Sequence, residues 1–269
     1  KKLLLLTFLF TSFLCEAQQK TPIIEWQKTI GGSSYETLKE IQPTKDGGYI
    51  LGGSSNNPIS SNNYWVIKMN AIGNIEWQRL IGGKDNDVLE SIQQTSDGGY
   101  ILGGYSNSIV SLDKTEKACN LTNQWVPYYD YWIVKLDSVG NIKWQNSICA
   151  SHDDYLHSIK QTFDGGYILG GITSSGIYYD KTVPFIGGEN DFWVIKVDSI
   201  GNIQWQKEFG GDSTDILTCM QQTNDSGYIL GGYSNSNNSN TKKGKRGSYD
   251  YWVIKLNSIG EITWQKVIG

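Results

Sequence analysis

The strongest constraint on the fold is a stretch of eight residues that occurs four times. Residues 46–53 read Asp-Gly-Gly-Tyr-Ile-Leu-Gly-Gly, and nearly the same residues occupy 97–104, 164–171 and 225–232. Such repetition is typical of chains in which similar supersecondary units stack on one another and bury a continuous core. The sequence therefore predicts a repeat protein.

Two tryptophan markers set the register of the repeat. The first is Trp-Gln, at Trp26, Trp77, Trp144, Trp205 and Trp264. The second is Trp-Val/Ile-Ile/Val-Lys, at Trp65, Trp132, Trp193 and Trp252. The spacing is 27 positions from each of the first four Trp-Gln markers to the end of the next Gly-Gly stretch, and 12 positions from each second marker to the next Trp-Gln. Only the interval after the Gly-Gly stretch varies, from 12 to 28 positions, so all length differences fall in one loop.

Each unit contains four strand candidates, a to d, separated by turn residues. In the second unit they cover 88–94, 100–106, 131–137 and 142–148. Asp-Gly between a and b, and a glycine between c and d, supply the positive φ angles of tight turns. Strands b and c are apolar on both alternations, which indicates sheets packed on both faces. Four antiparallel strands per unit predict an all-β fold, a β-propeller of four-stranded blades, and fit a solenoid less well.

The chain begins with a predicted signal peptide over residues 1–17, in which Lys1 and Lys2 precede an apolar run. We therefore expect a secreted or cell-surface protein without a transmembrane segment; lipidation at Cys15 is the alternative to ordinary cleavage near Ala17. Residues 18–269 form the predicted propeller domain, with blades at about 33–82, 83–149, 150–210 and 211–269 and an extra outer strand at 23–31. Five d strands accompany four sets of a, b and c, so we expect a fragment of a larger propeller.

Net charge and arginine content limit the classes of binding partner, and the cysteines suggest one disulfide. Removing two lysines and one glutamate with the signal changes the net charge from −4 to −5, and Arg79 and Arg246 are the only arginines. We expect no nucleic-acid partner, because phosphate recognition relies on basic, arginine-bearing surfaces, and we expect a monomer. Export permits a disulfide between Cys119 and Cys149, whereas Cys219 lies in an apolar strand and is predicted to be a buried thiol.

The residues from Asp198 to Trp205 resemble the tryptophan-docking repeats of quinoprotein-type propellers, which place a glycine four residues before a tryptophan. The wider unit, with its Asp-Gly-Gly-Tyr-Ile-Leu-Gly-Gly and Trp-Gln-Lys-x-x-Gly-Gly, resembles kelch-like propeller repeats of proteins exported by Bacteroidetes-type bacteria. The resemblance implies a propeller fold over nearly the whole mature chain. It implies no particular activity, since such repeats accompany many functions.

If strand a is innermost, the b–c and d–a connections share one face of the propeller, which we call the b–c loop face. Four acids occupy matching positions just before strand a: Glu36, Asp87, Asp154 and Asp215. They could ring the mouth of a central channel, where they would hold a hard cation such as calcium through oxygen ligands or accept hydrogen bonds from sugar hydroxyls. Alternatively, each carboxylate caps the backbone amides of its own turn. No other cofactor is expected.

The variable loops of two units are aromatic. The second unit carries Trp125, Tyr128 and Tyr129, and the third carries Tyr178, Tyr179 and Phe185. Such rings could stack on sugars or dock a protein partner, or they could fold back and cover the ends of their own blades. The sequence thus presents six candidate ligand-binding residues on the b–c loop face.

Motifs for catalysis are mostly missing: the chain has two histidines, no His-Glu-x-x-His, no Gly-x-Ser-x-Gly and no phosphate-binding loop. We therefore expect a secreted, non-catalytic binding scaffold that recognises a glycan or a protein through the b–c loop face. One alternative is a glycoside hydrolase that uses the channel-mouth acids as its carboxylate pair. The other is a structural cell-surface repeat.

Overall fold

The computed structural model describes residues 23–57, 60–116, 128–237, 239, 241–244 and 247–269. They form four antiparallel sheets of four strands each, sheets I to IV. Sheets I and II contain β1 (Glu36–Pro43), β2 (Tyr49–Asn57), β3 (Ser60–Met69) and β4 (Ile75–Ile81), then β5 (Asp87–Gln94), β6 (Tyr100–Ser106), β7 (Asp130–Leu136) and β8 (Ile142–Ile148). Sheets III and IV contain β9 (Asp154–Gln161), β10 (Tyr167–Thr173), β11 (Asp191–Val197) and β12 (Ile203–Phe209), then β13 (Asp215–Gln222), β14 (Tyr228–Ser234), β15 (Asp250–Leu256) and β16 (Ile262–Ile268).

The strands follow one another in space in the order of the chain, so each sheet is a meander of hairpins. In sheet II the observed strands agree with the predicted ones to within one residue at each end. The all-β class and the four four-stranded units are confirmed. Within the described part of the chain, no helix is long and apolar enough to cross a membrane.

The turn between strands a and b carries the same contacts in every sheet. In sheet II, the Gly98 backbone has a φ of 84°, and the Asp97 carboxylate accepts a hydrogen bond of 3.0 Å from the Gly99 amide. Asp97 also binds the buried ammonium group of Lys135 at 2.9 Å, and this ammonium donates to the Leu136 carbonyl. Because Lys135 lies on strand c, the ion pair ties the a–b turn to the third strand. The same pairs recur as Lys68–Asp46, Lys196–Asp164 and Lys255–Asp225.

Successive sheets pack face to face through the glycines of strand b. A Cβ atom on Gly103 of sheet II would lie 2.8 Å from side-chain atoms of both Leu156 and Ile159 in sheet III. These two side chains are fully buried. Only a residue without a side chain leaves room for them, which explains the glycine at this position of the repeated stretch. Gly52 and Gly170 make the matching contacts with the next sheet at the other two interfaces.

An aromatic pair from strand c crosses each interface. The Tyr64 hydroxyl of sheet I donates to the Trp132 carbonyl of sheet II at 2.9 Å, and the two ring centroids are 4.7 Å apart. Tyr131 and Trp193 repeat this arrangement between sheets II and III, with a hydrogen bond of 3.3 Å. In sheets II to IV the tryptophan of the second marker is therefore buried between neighbouring sheets.

The Trp-Gln tryptophans pack on the following sheet. The Trp77 ring on β4 lies against Gly140 in the c–d turn of sheet II, where a Cβ atom would be 3.0 Å from the ring. Its ring centroid is 5.6 Å from that of Tyr100. Trp144 and Trp205 make the same contacts with sheets III and IV. The turn glycine thus receives the tryptophan of the preceding unit, and not the one four residues later.

The first strands of the sheets lie nearest to one another. Glu40 on β1 accepts a hydrogen bond of 2.8 Å from the Ile92 amide on β5. The same carboxylate binds the ammonium group of Lys160 on β9 at 2.9 Å, so it links sheet I to sheet III. A side-chain contact across an intervening sheet requires the a strands to converge. The arrangement is propeller-like, with strand a innermost.

The two end sheets depart from the sequence expectations. Cys219, predicted to be buried, is exposed on β13, because no described sheet packs on that face of sheet IV. Its counterparts Ser91 and Ser158 are covered by the next sheet and buried. Residues 23–31, predicted to form an extra outer strand, make no strand hydrogen bonds in the structure.

We predict that Gly103→Ala lowers the free energy of unfolding by about 1–3 kcal/mol, because the added methyl group overpacks the interface between sheets II and III. Gly231→Ala is the matched control, because a Cβ atom there would have Cys219 as its nearest neighbour, at 3.1 Å. Urea unfolding at low protein concentration measures both. Equal losses in the two variants would contradict the role of the strand-b glycines in sheet packing.

A second prediction concerns acid stability. Burial raises the pKa of Asp97, but hydrogen bonds from Thr95 and Lys135 outweigh it and bring the pKa to about 2. A carboxylate with a lowered pKa stabilises the fold above its unfolded value near 3.9, and this contribution is lost as the pH falls towards about 2. Asp97→Asn should lose stability at pH 7 and show a weaker pH dependence between about pH 4 and pH 2. Thermal melting across that range checks this, and unchanged pH dependence would contradict it.

Candidate functional site

The variable loops on the b–c loop face fold into small hairpins. Antiparallel bridges join Ser111 to Lys114 in sheet II and Tyr178 to Lys181 in sheet III. In sheet IV the Ser239 amide donates to the Lys242 carbonyl at 2.9 Å. The three lysines are buried. Each loop therefore turns a charged side chain inward.

Protein groups satisfy the buried lysines. The Lys114 ammonium donates to the Ser147 hydroxyl at 2.7 Å and lies 4.8 Å from the centroid of the Trp132 ring. Lys181 pairs with the buried Glu208 and lies over the Trp193 ring. Lys242 donates to backbone carbonyls. Because an unpaired buried ammonium is very costly, these contacts hold each loop in one position.

The same loops contact the end of the preceding sheet. The Asp113 amide donates to the Gly82 carbonyl, and the Asp180 amide donates to the Cys149 carbonyl, each at 3.1 Å. In the fourth loop Thr241 accepts a hydrogen bond from the Gly210 amide. The insertions are therefore fixed straps between neighbouring sheets.

Three of the four predicted channel-mouth acids are buried. Asp87 accepts a hydrogen bond of 2.7 Å from the Gly83 amide and one from the Ser108 hydroxyl. Asp215 binds the amide of Gly211 and the hydroxyl of Ser236 in the same way. Each carboxyl group thus bonds within its own repeat, which is the capping arrangement.

Asp154 and Glu36 complete the set. The Asp154 side chain accepts a hydrogen bond from the Ser175 hydroxyl, and burial raises its pKa well above the usual range against the effect of Thr173 and Ser175. Glu36 accepts a hydrogen bond of 3.2 Å from the Gly32 amide. Across the residues that the structure describes, no group of three or more His, Cys, Asp or Glu side chains could hold a metal ion.

Two of the predicted aromatic residues belong to a larger aromatic group. Tyr129, Tyr105 and Tyr155 form a set that we call the tyrosine cluster, with ring centroids 4.8 to 5.5 Å apart. Tyr128 lies beside it and contacts the His152 ring at 5.5 Å. The cluster occupies the loop end of the interface between sheets II and III. All three of its rings are half-buried, so each presents part of its surface to solvent.

Polar groups surround the tyrosine cluster. The Glu90 carboxylate lies near the Tyr105 hydroxyl, and the Asp153 carboxylate lies near the Tyr155 hydroxyl. Burial, followed by the neighbouring Asp153, raises the pKa of Tyr155 to about 12, and burial, followed by Glu90, raises that of Tyr105. Both phenols therefore stay neutral at physiological pH. The cluster combines apolar ring faces with two carboxylates at its rim.

The other predicted aromatic residues lie apart from the cluster or cannot be placed. Tyr178 and Tyr179 have ring centroids 4.2 Å apart, and they are 44% and 51% exposed. Phe185 is half-buried in the same loop. Trp125 lies outside the described residues.

Cys149 is disulfide-bonded. Cys119, the other cysteine of the predicted bridge, falls in residues 117–127, outside the described part of the chain.

Reasoning from the sequence missed Tyr105, Tyr155, Glu90 and Asp153. Tyr105 and Tyr155 lie on strands, where a tyrosine suggests sheet packing and not a site. The alignment of the repeats did contain a signal, because Tyr155 corresponds to Thr37, Val88 and Ile216 in the other units. A tyrosine that breaks the pattern of its column marks a local feature.

The histidines form no acid–base pair in the structure. His152 contacts the Ser151 hydroxyl, and His157 hydrogen-bonds the Leu217 carbonyl of the next sheet at 2.7 Å. The channel-mouth acids bond to amides and hydroxyls of their own loops.

Fold and site define a repeat protein of propeller-like four-stranded sheets, with an aromatic cluster between two strapped loops. Comparison of the sequence with known protein families finds no family that matches, and comparison with curated proteins finds none that matches.

We predict that calcium leaves the melting temperature of the wild-type chain at pH 7 unchanged, because Asp87, Asp154 and Asp215 are buried and accept hydrogen bonds from their own loops. Asp154→Asn keeps the shape of the side chain and removes a possible cation ligand, so it should respond to calcium as the wild type does. Differential scanning calorimetry with and without calcium measures both. If calcium raised the melting temperature of the wild type but not that of Asp154→Asn, the result would support the cation ring.

Proposed function

We propose that this chain is an exported binding scaffold that recognises a carbohydrate through the b–c loop face, with the tyrosine cluster as the centre of the site. The observation that carries the proposal is the grouping of Tyr105, Tyr129 and Tyr155 beside Glu90 and Asp153. Sugar rings have an apolar face of C–H groups and an edge of hydroxyls. Aromatic faces stack on the former, and carboxylates accept hydrogen bonds from the latter.

The surroundings of the cluster favour a preorganised site. Tyr129 is held at the start of strand c, since its amide donates to Asp153 at 2.8 Å and its carbonyl accepts from the Asp154 amide at 2.7 Å. Half-buried rings lose little side-chain freedom on binding, which reduces the entropy cost of association. Tyr178 and Tyr179, exposed on the neighbouring loop, would extend the contact surface.

The finer architecture is also part of the proposal. The four sheets are blades of a β-propeller, and residues 23–31 lie on sheet I where the outer strand of a preceding blade would lie. The signal-like sequence of residues 1–17 supports export, to the outside of the cell or to its surface. A rigid blade scaffold with variable straps suits recognition, because binding residues on loops are positioned by a rigid frame.

The alternatives have less support. A glycoside hydrolase would need two facing carboxylates, whereas Asp87, Asp154 and Asp215 bond within their own loops. A protein ligand could use the same tyrosines, but the carboxylates beside the phenols favour a hydroxyl-rich ligand.

The test is a glycan array probed with the chain from Gln18 onward, followed by calorimetry on the glycans that bind. Tyr129→Ala should weaken binding by about tenfold, which corresponds to the loss of one aromatic stacking contact of about 1–1.5 kcal/mol. Tyr155→Phe should weaken it less, since the ring remains and only its hydroxyl is removed.

Tyr249→Ala is the matched control. Tyr249 occupies the position of Tyr129 in sheet IV and contacts Tyr233, but no described sheet follows sheet IV to supply a counterpart of Tyr155. This variant should bind as the wild type does. Absence of any bound glycan, or equal losses in Tyr129→Ala and Tyr249→Ala, would refute the proposed site, and capture of a protein alone would reassign the ligand.

A further inference from the structure

We infer that sheet IV of one chain packs on sheet I of a second copy, in the geometry that joins neighbouring sheets within the chain. The three internal interfaces are built from the same parts. One sheet supplies the strand-b glycine and the strand-c tyrosine or phenylalanine, and the next supplies two apolar residues of strand a and the strand-c tryptophan. Sheet IV has the first half of this interface unused, and sheet I has the second.

The second half on sheet I is exposed. Leu38 and Ile41 on β1 occupy the positions of Leu89 and Ile92 on β5, in the register with strand b that both sheets share. Leu38 is 60% exposed and Ile41 is 51% exposed, whereas both counterparts are fully buried. Two large apolar side chains therefore stand in solvent at positions that are covered by the preceding sheet elsewhere in the chain.

The first half on sheet IV is exposed as well. Tyr251 corresponds to Tyr64 and Tyr131, which are fully buried, yet it is 71% exposed. Gly231 corresponds to Gly103, and a Cβ atom there would meet no side chain beyond that of Cys219 on its own sheet. The cleft that receives Leu156 and Ile159 at the internal interface is thus present on sheet IV, and no side chain of another described sheet enters it.

The two exposed halves are complementary in detail. In the proposed contact, Leu38 and Ile41 of one chain enter the cleft at Gly231 of the other. Tyr251 stacks on Trp65 and its hydroxyl donates to the Trp65 carbonyl, as Tyr64 does to Trp132. One internal bond has no counterpart: Gln94, Gln161 and Gln222 each accept a hydrogen bond from a turn amide of the preceding sheet, and Pro43 replaces them in sheet I.

Residues 23–31 cover part of the receiving surface. Trp26 lies against Gly73 and Tyr49 of sheet I, as Trp205 lies against Gly260 and Tyr228 of sheet IV. In the assembly, Trp264 of the incoming copy takes the position of Trp26. The segment therefore competes with association, and the interface is a heterologous one that closes into a ring or grows into a chain.

The association is tested by light scattering after size exclusion, from about 1 µM to about 100 µM of the chain starting at Gln18. The mass of the wild type should rise with concentration. Ile41→Asp on sheet I and Tyr251→Asp on sheet IV should each raise the dissociation constant by about tenfold or more, because each leaves an unpaired charge in an apolar contact. Both residues are exposed in the single chain, so folding should survive, which circular dichroism confirms; Leu38→Asp is the second variant for sheet I.

Mixing the two variants separates this geometry from any other. The intact sheet IV of Ile41→Asp can pack on the intact sheet I of Tyr251→Asp, so the mixture should form a one-to-one dimer that does not grow. Ile200→Asp, at an exposed turn residue of sheet III, is the control and should associate as the wild type does. A wild type that stays monomeric throughout, or variants that fail to combine, would overturn the inference.

Cys219 and Trp26 give independent readouts. Alkylation of Cys219 should slow as the wild type associates, because its counterparts Ser91 and Ser158 are buried at internal interfaces. It should not slow in Tyr251→Asp. Trp26→Ala should lower the dissociation constant about tenfold, since it weakens the competing segment; an unchanged constant would overturn the exchange of Trp26 for Trp264.

Discussion

The whole structure depends on the packing of a glycine strand against the apolar inner strand of the next sheet. Gly103 allows Leu156 and Ile159 to reach the backbone of β6, and full burial of two such side chains stabilises each interface by about 3–6 kcal/mol. Close approach then brings the strand-c aromatic rings together and places the outer tryptophan on the next turn. Every interface uses the same positions of the unit, so one repeated sequence pattern forms all of them.

The buried polar groups behind the b–c loop face follow from the constant structure of the sheets. The sheets have the same structure in every unit, whereas the b–c loops differ in length. Buried charged side chains attach these different loops to the equivalent ends of the sheets. Burial and the nearby Glu208 raise the pKa of Asp191, and the Lys181 ammonium pairs with Glu208. The acidic residues that the sequence suggested as cation ligands anchor loops in the structure. The tyrosine cluster sits on a surface that these anchors hold still.

Much of the fold was predictable because local and global preferences agree. The Asp-Gly turns, the alternation of strands b and c and the constant marker spacing gave strand bounds for sheet II that match the observed ones to within a residue. Tyr128 and Tyr129 were identified because aromatic residues in a variable loop suggest a binding surface. Tyr105 and Tyr155 were not, because an aromatic residue on a strand has the same appearance whether it packs in a core or lines a site.

The repeating unit can be read from the sequence alone: four strands, their turns, the glycine that leaves room and the apolar residues that pack against it. These features depend on neighbours along the chain and on a contact that recurs from unit to unit. The side chains exposed at the two end sheets and on the b–c loop face, in contrast, depend on how the sheets stack. Cys219 and Ser91 occupy one position of the repeat, yet one is exposed and the other buried, because a sheet packs on Ser91 and none of the described sheets packs on Cys219. Whether a given position of the repeat is buried or exposed therefore depends on where its sheet lies in the stack, and the identity of the residue does not reveal this.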